Sequence, residues 1–483
     1  MLPQNNIEAT MNIKLLYNIG ATLDIPTGYY LKGKYGESIL LGGLGMLTGV
    51  VGGGNMFKST ILHYMLLSAV NRISASVQTS AVTYDTEINI HEPHLRMFTN
   101  RFSNLKDKDL FADGTWTITD KTVYYADEWW ELQKQYCKDK LAGKEKLFVD
   151  TPFLTRDAKS LLKVIVPTFG QVDSFSDFET SDVGKIQDEN ALGDSGGNTI
   201  HMRQGLAKTR FLMEAPRVAG SANHFMLLTA QVGEFLNVGA SPYAPPPPKQ
   251  LQSMAANQKM KGVTGKFTFL MSSCWQCIKA APLLNSGTRG PEYPRNSNDN
   301  VSGDTDLNIV TIKQLRNKSG PSGITLDIIL SQTEGVLAEL TEFHYIKENG
   351  RFGLGGNVQN YYLELLPDVK LSRTTVRGKL DNDPKLRRAM NITSELCQMH
   401  TFYRSISHEL MSAKDLYDKI KAKGYDWDFI LENTRGWWTF NNDKLPLYFL
   451  STYDLVRMAN GEYHPYWLED DNKTIKKQFQ VKT

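Results

Sequence analysis

The chain has 483 residues, 41% of them hydrophobic and 22% charged, which suits ordinary folded domains and excludes a disordered or fibrous chain. Its 54 Lys and Arg against 52 Asp and Glu leave a net charge of +2, so any grip on a polyanion must come from a local patch. Four cysteines exclude a disulfide framework, and no apolar run reaches the length of a membrane span. The N-terminus lacks the basic-then-apolar order of a secretory signal, so a cytoplasmic location is expected.

Within residues 1–25 the pattern Ile7 to Tyr17 reads as a short helix, either a frayed terminus or an arm docking on a neighbour. Leu47–Val51 is apolar and breaks into Gly52, Gly53 and Gly54. Asn55, Met56, Phe57, Lys58, Ser59 and Thr60 follow, and a helical pattern runs over Ser59–Asn71. A strand, a tight glycine loop and a helix start are the setting of a phosphate-binding loop, in which backbone N–H groups converge on phosphate oxygens. Lys58 then reaches the β/γ-phosphates of a nucleoside triphosphate, and the Ser59 hydroxyl holds Mg2+. Phe57 stands where GxxxxGK[ST] has its second glycine; the alternative is a plain glycine turn with a solvated Lys58.

Ala81–Tyr84 reads as a buried strand ending in Asp85-Thr86-Glu87. Acids at a strand's C-terminal end lie where open α/β sheets place their chemistry, and Glu87 is the candidate for polarising an attacking water; capping of the next helix is the alternative. Residues 101–161 mix a short strand (Thr115–Thr119) with an amphipathic helix (Ala126–Leu141) whose Trp129 and Trp130 read as core. Lys163–Glu179 is mostly apolar and yields Asp173-Ser174, a carboxylate suited to orienting the water shell of Mg2+, although Pro167 and Gly170 interrupt the strand pattern. Ser181–Asn198 reads as a loop, Thr199–Ala215 as a helix carrying Arg203, Lys208 and Arg210. His224–Ala230 reads as a strand that ends in Gln231, whose amide could sense the γ-phosphate.

Val232–Gly265, with Pro245–Pro248, is a long loop; Lys249, Lys259 and Lys261 suit phosphate contacts, Phe235 and Tyr243 suit stacking, and a solvated linker is the alternative. Lys266–Ile278, Leu307–Lys313 and Ile324–Leu330 read as strands, with a surface loop over Leu284–Gly303. Cys274 and Cys277 lack the second pair that zinc requires and read as strand residues. Arg316 and Lys318 sit just past a strand, before a Gly-Pro-Ser-Gly turn. They are either solvated or able to stabilise phosphoryl charge in the same subunit or a neighbour. Beyond Gly356 three helices are expected: Pro384–Met399; Ala413–Lys423, capped by Ser412 and Asp415; and Thr452–Asn460, capped by Ser451 and Asp454 and stopped by Gly461.

The order of glycine loop, strand-end Glu, strand-end Asp-Ser, strand-end Gln, long loop and basic hairpin resembles the RecA family of ATP-dependent recombinases. Phe57 before Lys58 is similar to the phosphate loop of its T-even phage (UvsX) branch. YDTEINIHEPHL (Tyr84–Leu95) resembles the catalytic-glutamate segment, VDSFSDF (Val172–Phe178) the Mg2+ strand and LLTAQVGE (Leu227–Glu234) the sensor strand. MKGVTGKFTFLMSS (Met260–Ser273) resembles the segment that closes the second DNA loop.

The resemblance, over about residues 26–350, implies an α/β fold. A RecA-like ATPase core with a mostly parallel central sheet would occupy 26–355, with DNA-binding loops near 181–198 and 232–265, a short arm at 1–25 and a small, mainly helical C-terminal domain at 356–483. It implies that Gly52, Gly53, Gly54, Asn55, Met56, Phe57, Lys58, Ser59 and Thr60 bind ATP, with Ser59 and Asp173 serving Mg2+. Glu87 would activate water, and Gln231 would couple the γ-phosphate to the second DNA loop. Arg316 and Lys318 would reach a neighbouring subunit's nucleotide, His94 would lie near the adenine, and Arg203, Phe235, Lys249, Lys259 and Lys261 would face DNA. The implied activity is a DNA-dependent ATPase that forms filaments on single-stranded DNA and pairs it with homologous duplex. Single-strand-binding and loader proteins are further implied partners. The departures are a missing large N-terminal domain, a proline-rich second loop and the insertion at 101–161. Two alternatives stand beside this. KQLRNKSGPSG is also similar to the basic finger of ring-forming DnaB-type helicases, although only about 40 residues precede the core. A non-catalytic regulatory or structural protein could keep the same fold.

Overall fold

The computed structural model describes residues 24, 26–88, 90–119, 125–155, 158–189, 200–234, 254, 258–264, 266–296, 298–299, 301–318, 320–403 and 406–480. The predicted arm Ile7–Tyr17, Phe235, Lys249 and most of the predicted DNA loops lie outside them.

A hairpin of β1 (Pro26–Lys32) and β2 (Ser38–Gly42) leads to β3 (Leu47–Gly52), α1 (Lys58–Ser74), β4 (Ala81–Asp85), α2 (Glu92–Thr99) and β5 (Trp116–Thr119). Next come α3 (Ala126–Ala142) and a second hairpin, β6 (Phe148–Leu154) with β7 (Leu161–Ile165). β8 (Thr168–Asp173), α4 (Ser181–Glu189), α5 (Ile200–Ser221) and β9 (His224–Glu234) follow. The core closes with β10 (Gln258–Met260), α6 (Phe267–Leu270), β11 (Ser273–Pro282), β12 (Leu307–Asn317), β13 (Thr325–Ser331), β14 (Gly335–Val336) and α7 (Ala338–Glu348). A three-stranded meander over 354–371 then precedes α8 (Val376–Asn382), α9 (Pro384–Phe402), α10 (Ala413–Ala422), α11 (Trp427–Asn433) and α12 (Thr452–Asn460).

The fold is α/β, built on a ten-stranded sheet in the order β14-β13-β12-β11-β3-β9-β8-β4-β5, with β10 beside β9. β11, β3, β9, β8, β4 and β5 are parallel to one another, while β12, β13 and β14 extend one side antiparallel. β3 and β8 are buried at every position, as strands covered on both faces must be. Pro167 falls before β8. Gly170 belongs inside it because a Cβ there would lie 2.9 Å from His224 Nε2. Among the described residues no helix is long and apolar enough to cross a membrane.

Several expectations need correction. Ser181–Glu189, predicted as loop, is α4: Val183 is buried, Gly184 lies against the Tyr125 ring, and Asp127 accepts from Ser181 N at 2.8 Å. Val183 and Ile186, one turn apart, are its only two apolar residues besides Gly184, and the polar residues around them hid a helix that tertiary docking fixes. Lys266–Ile278, predicted as one strand, is α6 followed by β11, since Phe267 turns inward beneath Gly49 and Phe175. The long loop after Gln231 is shorter than predicted at both ends, because β9 runs to Glu234 and β10 pairs back on it. β12 runs through Asn317, so Arg316 lies inside the strand rather than past it. Cys274 and Cys277 are buried in β11, where burial pushes both thiols up to about 12.

Packing continues across the predicted boundary near residue 355. Ser38 N donates to both carboxylate oxygens of Asp454, at 3.1 and 2.9 Å, and Tyr35 stacks on Tyr466 at 4.2 Å. The 101–161 insertion has two jobs. α3 covers the sheet beside α5, Trp129 meeting Phe211 at 5.0 Å, and β6 sends Phe153 against Trp438 at 4.9 Å. The Ser412, Ser451 and Gly461 caps form as their local sequence predicts.

One buried acid ties this junction to pH. Glu342 of α7 is enclosed, accepts from Asn391 Nδ2 at 3.3 Å and lies near Glu395 of α9. Burial, reinforced by the Glu339 charge, pushes its carboxyl up from 4.5 to about 8. Its folded form is therefore the neutral one. The stability it contributes is complete below the unfolded value of 4.5 and is lost as pH rises through about 8. Glu342→Gln should stabilise the protein by ~2–4 kcal/mol at pH 8.5, shrinking toward pH 5. Thermal melts of both proteins at the two pH values check this.

Candidate functional site at the C-terminal edge of the sheet

Gly52 ends β3 in register with Gln231 of β9 on one side and Cys277 of β11 on the other. β8 ends at Asp173, level with Asp85 at the end of β4. The glycine loop, Asp173 and the Asp85-Thr86-Glu87 turn thus leave their strands at one edge, level with Gln231, which lies inside β9 rather than at its end as predicted; the four strands are adjacent, ~4.8 Å apart. That is the edge at which α/β sheets expose loops and helix starts together.

The loop after Gly52 owes its shape to residues other than glycine. Asn55 (φ 55°) and Phe57 (φ 56°) are left-handed, whereas none of Gly52, Gly53 and Gly54 is. Left-handed residues alternating within a turn bring successive N–H groups to one side, a concavity for anions. Phe57 is the N-cap of α1 and supplies no side-chain cap, and the first turn holds no acid. Its backbone donors therefore face the loop with the positive end of the helix dipole. Gly52 is favoured by close approach: a Cβ would lie 3.1 Å from Cys277 Cβ and 3.2 Å from Cys277 O. Lys58 Nζ donates to Gly53 O at 2.7 Å, straddling the loop, and Ser59 and Thr60 are half-buried beside it.

The strand-end acids divide their work. Asp85 is buried and accepts from Glu87 N (3.1 Å) and Ile90 N (2.8 Å), so it builds the turn. Glu87 stands exposed at that turn. Thr86 ties β4 to β8: its N–H donates to Asp173 O at 2.9 Å, and its hydroxyl donates to Ser174 O and accepts from Ser174 N. Asp173 accepts from the Thr229 hydroxyl at 2.6 Å, and the Asp173–Ser174 peptide is cis. Gln231 donates its N–H to Ser176 Oγ (2.8 Å) and its amide to Asp177 (3.1 Å), and its carbonyl accepts from Lys261 N (2.8 Å).

This donor set fits a nucleoside triphosphate with Mg2+. Convergent N–H groups and Lys58 would hold phosphate, and Ser59 with Asp173 would hold the cation. Among the described residues no cluster of three His, Cys, Asp or Glu could cage a metal alone, so a cation here would draw on phosphate and water, as Mg2+ prefers.

Other predicted residues lie apart. His94 is exposed on α2 with Nε2 3.0 Å from Gln332 O; Phe98, one turn on, lines a narrow cleft with Thr60 and Gly335. Arg316 pairs with Cys274, and Cys274 with Gly49, three residues before Gly52; Lys318 N donates to Ser272 O at 2.9 Å. The basic pair therefore occupies the opposite edge, Arg316 being ~14 Å from Gly52 by strand spacing, beyond the reach of its side chain. The same-subunit alternative falls, and a neighbouring copy remains. Arg203, Lys259 and Lys261 are exposed, the last two on or beside β10. Sequence reasoning gave no role to Thr86, Thr229, Ser176 or the buried Lys208, whose partners lie far along the chain. It also missed Phe269, 60% exposed beside the exposed Lys266, a ring placed where an apolar side chain has no core to join.

Phe57→Gly relieves ~1–2 kcal/mol of left-handed strain and forfeits a half-buried ring of similar worth. Stability should change by less than ~1 kcal/mol, with nucleotide affinity within about threefold of wild type. Phe57→Val, β-branched on left-handed backbone, should weaken binding about tenfold. Nucleotide titrations and melts decide both.

Comparison with protein-family profiles and with curated proteins finds no match to this chain.

Proposed function

We propose that the chain is an ATP-dependent recombinase of the RecA type, which polymerises on single-stranded DNA when ATP is bound and pairs it with homologous duplex. One observation carries the reading: a single sheet edge gathers the Lys58 loop, Asp173, Glu87 and Gln231, and β10, paired antiparallel on the strand bearing Gln231, carries exposed Lys259 with exposed Lys261 beside it. ATP with Mg2+ would supply a phosphoanhydride whose hydrolysis makes binding reversible. Lys58 and the loop N–H groups hold the phosphates, and Ser59 and Asp173 orient the cation and its water. Glu87 takes a proton from the attacking water, and Gln231 presents its amide to the terminal phosphate. Arg316 and Lys318 serve the nucleotide of an adjoining copy. Nucleotide at such shared sites favours the assembled state, and hydrolysis favours release, by linkage.

Electron microscopy with single-stranded DNA and a non-hydrolysable ATP analogue tests this. Open helical filaments are expected; closed rings would overturn it in favour of a ring helicase, and particles of neither form without turnover would favour a non-catalytic role. For the DNA surface, Lys259→Ala with Lys261→Ala should flatten the log–log salt dependence of single-strand binding by ~1.4. An unchanged slope would move DNA to another face.

A further inference from the structure

Lys208 is the least exposed lysine at this edge, 1% accessible, and among the described residues it has no carboxylate as hydrogen-bond partner. Its ammonium donates to Phe175 O (2.8 Å), Ser176 O (3.0 Å) and Gly262 O (2.6 Å), spending its three protons on carbonyls of two separate segments. The first segment is the turn that leaves Asp173. The second is the stretch that leaves β10 with Lys259 and Lys261. Ser176 makes the same connection by another route: its hydroxyl accepts from Gln231 N at 2.8 Å and donates to Lys261 O at 2.8 Å. Gly262 (φ +62°) lies so close that a Cβ would sit 2.2 Å from Ser176 O. Backbone is pressed on backbone there.

A merely structural plug would be cheaper as an apolar side chain, because enclosing an amine among carbonyls is costly and pushes this lysine down to about 7. What an ammonium supplies, and a methyl group does not, is simultaneous hold on the carbonyls of two separate segments.

We propose that Lys208 and Ser176 are positioning residues that lock the lysine-bearing segment 259–262 to the Asp173–Asp177 turn, so that DNA binding and nucleotide binding strengthen one another through this clamp. The proposal rests on the function inferred above. Without the clamp both sites persist, and only their coupling is lost.

The test uses the full chain as wild type, Lys208→Met and Ser176→Ala. A labelled poly-dT oligonucleotide is titrated with and without a non-hydrolysable ATP analogue, and the analogue is titrated alone. Wild type should bind the oligonucleotide at least ~fivefold more tightly with the analogue, the lower end of ordinary coupling. In both variants that ratio should fall below ~2, with affinity for the analogue alone within about threefold of wild type. A ratio kept at the wild-type value in both variants would overturn the clamp, as would a loss of analogue affinity in step with the melting temperature, the mark of a structural plug. Should Lys208→Met fail to fold, Ser176→Ala, which removes one hydroxyl, carries the test alone. No tightening in wild type would instead bring down the recombinase reading, and the clamp with it.

Discussion

Lys58→Ala should lower both ATP affinity and turnover, the latter by ~10^2–10^3-fold, whereas Glu87→Gln should bind ATP normally and lose turnover by ~10^2–10^4-fold. The contrast follows from how each residue is held. Lys58 bridges its own loop through the 2.7 Å bond to Gly53 O, so truncation removes a cation from the phosphate concavity and a strut from its mouth. Glu87 is exposed, and the turn it stands on is fixed by Asp85 through the N–H groups of residues 87 and 90. Gln has the same shape and lacks the basic oxygen, so binding survives and proton removal does not. Titration with a fluorescent nucleotide and phosphate-release rates separate the two outcomes. Normal turnover in Glu87→Gln would strip that residue of its role.

The legible parts of this molecule are those with local causes. The run from Leu47 through the glycines to α1 announces strand, loop and helix because its apolar spacing changes from continuous to helical within a few residues. Acids and an amide at the ends of apolar runs announce the chemical edge for the same reason, and the C-terminal caps rest on contacts three residues long. What stayed hidden depends on partners far along the chain. Lys208 reaches Gly262, and Ser176 reaches Gln231, across more than fifty residues each, so neither pattern is visible before the sheet is assembled. The sequence singles out Glu87, but the task of Asp85, building the turn, shows only once the Ile90 N–H claims it. The basic hairpin was visible, yet its edge was not, because the antiparallel register of β12 on β11 decides that.

That register sets up the most discriminating prediction. Arg316→Ala should bind ATP near normally and lose turnover by ~10^3-fold or more, the worth of an arginine delivered to a transferring phosphoryl group. The loss should not come from unfolding, since buried Arg316 Nε has no hydrogen-bond partner among the described residues. Because the residue lies on the far edge from its own Lys58, the proposed function puts the loop of one copy against the arginine of the next. Such head-to-tail contacts repeat the same two surfaces at every junction. Lys58→Ala and Arg316→Ala proteins, each inactive alone, should therefore restore activity when mixed on DNA. Random assembly of equal parts gives ~one quarter of junctions an intact loop facing an intact arginine, so ~one quarter of wild-type turnover is expected. Were both residues to act within one subunit, every site in the mixture would lack one of them and turnover would stay at the level of the separate variants.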